Sequence, residues 1–125
     1  MIAIHAAATH AIETPNGNHG TSLATPRLGA TEVTVVRQRQ TPGGSNPTHV
    51  HSREEVMVLL SGQVTVSSGE ERIDLFPRDT LIVPAQTPHR VDNTGTVDAE
   101  WLIISPAGMQ FFRDTGEEAS PPWIK

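Results

Sequence analysis

Gly43-Gly44-Ser45-Asn46-Pro47-Thr48-His49-Val50-His51-Ser52-Arg53-Glu54-Glu55 runs directly into an apolar stretch, Val56 to Leu60. His49 and His51 stand two residues apart and Glu55 four beyond the second histidine. Alternate side chains of an extended chain share a face, so a regular strand would aim His49, His51 and Glu55 the same way. On an α-helix a two-residue offset is a rotation of about 200°, and the two imidazoles would diverge. The spacing therefore reads as a metal site drawn on a β-strand.

A second stretch, Val83-Pro84-Ala85-Gln86-Thr87-Pro88-His89-Arg90-Val91-Asp92-Asn93, places another histidine inside a proline-punctuated strand signal. His89 supplies the fourth candidate ligand. Three imidazoles and a carboxylate suit a divalent transition metal such as Fe, Mn, Co, Ni, Cu or Zn, and suit Ca or Mg badly. The chain has no cysteine, which removes thiolate ligands.

A length of 125 residues predicts one domain, large enough to bury a core without disulfides. Hydrophobic content of 36% with ten Gly and ten Pro describes a turn-rich globular chain, and its short Val-, Ile-, Leu- and Thr-rich runs favour strands. The net charge is −5 and no basic cluster occurs, which argues against nucleic-acid and anionic-membrane partners and leaves small molecules or proteins. Met1 to Thr14 lacks a basic region followed by an apolar core, and no apolar run approaches a membrane span. The expected location is cytoplasmic. Lys125 is the only lysine, so a buried Schiff-base lysine is not expected, and neither a Gly-x-Ser-x-Gly elbow nor a phosphate-binding Gly-Lys-Ser/Thr loop occurs.

Turn formers cut the chain at regular intervals: Pro42-Gly43-Gly44, Ser61-Gly62, Ser68-Gly69-Glu70, Pro77-Arg78-Asp79 and Asn93-Thr94-Gly95. Between them the pattern predicts strands over 22–25, 31–40, 49–60, 63–67, 71–75, 80–83, 89–93 and 99–105, with a short helical turn at 108–114. Many short strands at this spacing predict an all-β sandwich or barrel. Residues 1–20 read as an irregular arm whose His5, His10 and His19 are solvated, 21–106 as the barrel core, and 107–125 as a C-terminal helix and arm. The bland reading of Ala119 to Lys125 is a tail packed on its own barrel; the sharper one is a strap across a neighbouring subunit.

These two stretches resemble the motifs of the cupin superfamily. Its first motif is Gly, five residues, His-x-His, three residues, Glu, six residues, Gly, and Gly43, His49, His51, Glu55 and Gly62 fill every position. Its second is Gly, five residues, Pro-x-Gly, two residues, His, three residues, Asn, where this chain has Arg78, Pro84, Gln86, His89 and Asn93. Two glycines are thus replaced: Gln86 is expected to reshape its turn, and Arg78 to alter little beyond local charge. The resemblance implies a double-stranded β-helix, a jelly-roll barrel holding a metal on His49, His51, Glu55 and His89, and a homodimer. Asn93, just before Thr94-Gly95, reads as a turn-maker.

A divalent ion with three neutral imidazoles and one carboxylate keeps a formal charge of about +1 and attracts an anionic oxygen. The expected function is a metal-dependent enzyme acting on a small oxygenated compound, aromatic or polyketide-like, by dioxygenation or by Lewis-acid isomerisation or cyclisation. Glu55 is open to two roles, ligand and catalytic proton acceptor. The alternatives are a metal-containing binding or sensing module without turnover and a purely structural barrel. Met57 and Leu59 continue the inward face below Glu55, whereas Glu54 points out and Arg53 reaches solvent. Which of Arg37/Arg39 and Gln38/Gln40 faces inward stays open, and Phe111 and Phe112 read as a staple for the C-terminus rather than a closure of the barrel mouth.

Overall fold

Eleven strands form wherever the turn residues release an apolar or β-branched run, and the computed structural model describes them across residues 1–125. In order they are β1 (Ile12–Thr14), β2 (Asn18–Ala24), β3 (Val33–Gln40), β4 (Ser45–His51), β5 (Glu55–Ser61), β6 (Val64–Ser68), β7 (Glu71–Leu75), β8 (Thr80–Val83), β9 (His89–Asp92), β10 (Ala99–Pro106) and β11 (Phe111–Arg113). They assemble into a six-stranded sheet ordered β1-β2-β3-β10-β5-β8 and a five-stranded sheet ordered β11-β4-β9-β6-β7. Every pairing is antiparallel.

The inner faces of the two sheets make the core. Val36, Met57, Leu59, Trp101 and Ile103 come from the first, and Val64, Val66, Leu75 and Val91 from the second. Alternation is clean on β3, where Thr34, Val36, Gln38 and Gln40 are buried between less buried neighbours. Gln38 and Gln40 face in, while Arg37 and Arg39 face out, the latter holding Asp98 at 3.0 Å.

Three expectations need correction. The N-terminal arm is ordered sooner than expected, because Pro15-Asn16-Gly17 turns β1 onto β2 and Asn18 is already buried. The alternation there is built from Asn, Gly and Thr and so carries no apolar signal. The helical turn expected at 108–114 is instead β11, which covers the open edge of β4 with Phe111 opposite His51 and Arg113 opposite His49. A sheet edge in need of partners outweighs local preference here. Helical structure near the C-terminus is a 3-10 turn at Pro122–Ile124. Finally, the run expected as one strand over 49–60 breaks after His51, and β4 and β5 lie in different sheets.

The C-terminal arm packs on its own barrel. Trp123 and Ile124 join the core, Ser22 Oγ donates to the Trp123 carbonyl at 2.6 Å, and the Arg27 amide donates to the Lys125 carbonyl at 3.0 Å. Gly20 lies against the Trp123 indole so closely that a Cβ there would overlap the ring.

Candidate metal centre

The break after His51 sets the geometry of the centre. β4 presents His49 and His51 from the five-stranded sheet, β9 presents His89 beside them with His49 and His89 in register, and β5 brings Glu55 across from the opposite sheet. His49 and His51 keep the shared face that their two-residue offset predicts. Glu55 shares it by facing them rather than by following them on one strand. The nitrogens of His49, His51 and His89 lie within 4.8 Å of one another, and the ring centroids are 4.3–4.8 Å apart. The group is the three histidines alone: Glu55 reaches it through His51, at 2.8 Å, and His5, His10 and His19 lie outside it.

Two backbone carbonyls orient the rings. His49 Nδ1 is 2.7 Å from the Pro47 carbonyl and His89 Nδ1 is 2.8 Å from the Thr87 carbonyl. A carbonyl can only accept, so in each ring Nδ1 carries the proton and the Nε2 lone pair is free, the tautomer that a metal-ligating histidine needs. Burial, followed by the neighbouring His89 and His51, pushes the His49 imidazole down to about 4. Burial likewise lowers His89. Both rings are therefore neutral near pH 7, the form that binds a metal.

His51 and Glu55 supply the test of fit. They are almost fully enclosed, with side-chain exposures of 1% and 5%, and His51 Nδ1 lies 2.8 Å from Glu55 Oε2. That approach lacks hydrogen-bond geometry, and neither His51 nitrogen nor Glu55 Oε2 has a hydrogen-bond partner. A carboxylate buried without a partner is costly, and so are orphaned ring nitrogens. Donor atoms crowded together without bonding one another are what a shared cation would compensate. The residues present fit a divalent ion.

Phe111 closes one side. Its ring lies parallel to His49 at 5.9 Å and tilted against His51 at 4.3 Å. Phe111 and Phe112 do staple the C-terminal segment, the Phe111 backbone bonding Ala119 and Ser120 and Phe112 bridging Glu118, and the Phe111 ring in addition sits on the histidines. Only the pairing of β11 with β4 reveals this, whereas the orienting carbonyls had a faint signal in the proline found one or two residues before each of His49 and His89. Arg53 and Glu54 are exposed, as expected. Asn93 is a turn lock: its side-chain amide donates to the carbonyls of Gln40 and Val97, both at 2.9 Å, and its Oδ1 accepts from the Gly95 amide. A cleft of about 420 Å³ lies elsewhere, lined by polar residues that include Thr65, Arg72 and Arg90 and none of the candidate ligands.

The Cupin domain family matches residues 36–105. Auxin-binding protein 1 of Arabidopsis thaliana is 32% identical over 99 residues, a match covering 72% of this chain and 50% of that protein. The chain spans about half the length of the curated relatives it matches. Among solved structures, the polyketide cyclase RemF from Streptomyces resistomycificus superposes with a TM-score of 0.77 at 19% identity, covering 87% of this chain and 81% of that one. An oxalate oxidase superposes with a TM-score of 0.68 at 25% identity, covering 78% of this chain and 56% of that one. With its family match spanning both sheets and all four candidate ligands, this chain belongs to the cupin family.

Proposed function

We propose that this chain is a metal-dependent enzyme acting on a small oxygenated compound, aromatic or polyketide-like, by dioxygenation or by Lewis-acid isomerisation or cyclisation. The observation that carries the proposal is the meeting of three histidines on β4 and β9, with the buried Glu55 carboxylate reaching His51 to 2.8 Å from the opposite sheet. His49, His51, His89 and Glu55 would hold the ion, which is Fe, Mn, Ni, Co, Cu or Zn by its donor set. When bound, such an ion supplies either activation of O2 or polarisation of a carbonyl oxygen.

The chain's own residues supply the rest. The carbonyls of Pro47 and Thr87 keep the Nε2 lone pairs of His49 and His89 pointing inward. Glu55 Oε2, lacking a donor, is the catalytic group able to take a proton from a bound substrate. Phe111 lays its ring over His49 and His51 and covers that side of the histidines. Similarity to a polyketide cyclase and an oxalate oxidase supports small-molecule chemistry at this fold. A second reading, binding without turnover, draws support from the relative named for binding auxin.

Metal analysis of untagged protein beside a His49→Ala/His89→Ala variant tests the centre, and O2 uptake by Fe(II)-reconstituted protein with aromatic and enol substrates tests the reaction. Stoichiometric metal, lost in the variant, together with substrate-dependent uptake supports dioxygenation. Metal without uptake favours Lewis-acid chemistry or binding, and wild-type protein that takes up no metal refutes the proposal. A homodimer working in the cytoplasm belongs to the same proposal and is tested by light scattering and cell fractionation. No helix is long and apolar enough to cross a membrane.

A further inference from the structure

Two rows of buried polar side chains cross the inner face of the six-stranded sheet, and they differ in one respect. The row at Gln38 and Gln40 is closed on itself. Gln38 Nε2 donates to Asn18 Oδ1 and Asn46 Oδ1, Gln40 Nε2 donates to Asn18 Oδ1, and Asn18 Nδ2 donates to the Ser45 carbonyl, all at 2.8–2.9 Å. Only Gln40 Oε1 is left over.

The other row is open. Ser105 pairs with Thr34 across β10 and β3. Ala24 pairs with Val35, and Ile104 pairs with Val56. Thr34 and Ser105 therefore stand side by side on paired strands, Glu55 lies one residue beyond the last pair of β10 with β5, and Thr25, just past the end of β2, lies one residue beyond its last pair with β3. Their exposures are 1%, 1%, 4% and 4%. Thr25 Oγ1, Thr34 Oγ1, Ser105 Oγ and Glu55 Oε2 all lack a hydrogen-bond partner. The adjacent row inward, Val36, Ile103 and Met57, is apolar and buried.

Buried hydroxyls that serve a fold are bonded within it, as the glutamine row is. We infer that the Thr25–Thr34–Ser105 row is a ligand subsite, reading a line of hydroxyl or carbonyl oxygens on a carboxylate or enolate substrate whose anionic end lies at the Glu55 end of the row. The inference deepens the proposed function and rests on it. Each hydroxyl both donates and accepts, so the row takes alcohols and carbonyls alike.

The test uses Thr34→Val and Ser105→Ala, singly and together, in the full chain. Gluconate and hexanoate are the probes, since both carry a carboxylate on a six-carbon chain and only gluconate carries hydroxyls along it. In metal-loaded wild type, gluconate is expected to bind more tightly than hexanoate. Each substitution is expected to weaken gluconate by about 3- to 10-fold, the worth of one neutral hydrogen bond, and to leave hexanoate and metal content unchanged. Melting temperatures of the metal-free variants are expected to equal or exceed wild type, because an unpartnered hydroxyl has been removed. Equal binding of the two acids by wild type, no gluconate binding to metal-loaded protein, or unchanged gluconate affinity in the double variant overturns the subsite. So does a lowered melting temperature, which would mean that the hydroxyls are satisfied by structural water. Failure to take up metal refutes the proposed centre instead, and the metal-free melts still judge the row.

Discussion

Arg78 and Gln86 are the two non-glycine residues with positive φ, at 77° and 60°, and they occupy the two places where the cupin pattern has glycine. The turns have kept the glycine conformation after losing the glycine. A side chain in the left-handed region costs about 1–2 kcal/mol, and glycine returns about 0.5–1 kcal/mol of that through its larger unfolded-state entropy. Arg78→Gly and Gln86→Gly should each therefore stabilise by about 0.5–1 kcal/mol. Neither side chain makes a hydrogen bond or ion pair that would be lost. The backbone amides that hold the turns, Arg78 to the Leu59 carbonyl at 2.7 Å and Gln86 to the His51 carbonyl at 2.9 Å, survive the change. With an unfolding entropy of about 2.1 cal/mol/K per residue, the gain is a rise of roughly 2–4 °C for each variant. The two turns share no partner, so the double variant should rise by about the sum.

Calorimetry on chelator-treated protein is the assay, since bound metal would add its own stabilisation. Arg78→Ala and Gln86→Ala are the controls: they remove the side chain, keep the strained Cβ, and should leave the melting temperature near wild type. Gly62→Ala should do the reverse, because Gly62 has φ 78° and a Cβ there would lie 2.6 Å from the Asp98 carbonyl oxygen. Glycine variants that melt no higher than their alanine counterparts would refute the strain argument. The expectation that Arg78 matters only through its charge would then be restored.

Metal-free protein should also lose stability in acid. The His49 imidazole titrates near 4 when folded and near 6.5 when unfolded, so between these values the unfolded chain binds more protons and stability falls as pH falls, by about 3 kcal/mol in all. Urea melts at pH 7 and pH 4 measure this, and a His49→Gln variant that loses just as much would disprove it. Asn93→Ala forfeits bonds to two carbonyls and one amide and should cost about 2–4 kcal/mol while the protein retains its metal; a variant that keeps its stability and loses its metal would make Asn93 part of the centre. Gly20→Ala should displace Trp123 from the core at a cost of about 3 kcal/mol, seen as red-shifted tryptophan fluorescence, and an unchanged spectrum would refute the close packing.

Much of the centre was legible because it is local. His49 and His51 share a face by their spacing alone, and His89 follows a proline turn whose position needs no long-range information. Strand limits were also legible, since Gly62, Gly69 and Asn93-Thr94-Gly95 stop the chain by their own backbone preferences. β1 and the start of β2 were not, because polar residues such as Asn18 and Thr21 bury themselves there through hydrogen bonds that no hydropathy pattern displays. The place of the Phe111 ring on the histidines was hidden for a related reason. The partner strand, β4, lies about 60 residues earlier in the chain, and a three-residue strand has too few alternations to announce itself.

Turn chemistry and the two-residue period act within a few residues, so the order of residues alone makes this an all-β chain of short strands with three histidines and a glutamate at cupin spacing. That Glu55 meets the histidines from the opposite sheet, that Phe111 lies on the rings of His49 and His51, and that Thr34 stands beside Ser105 comes from the folded chain. Alternation says which residues of one strand share a face. Sheet membership and register, which say what stands beside that face, come from pairings between strands far apart in the chain.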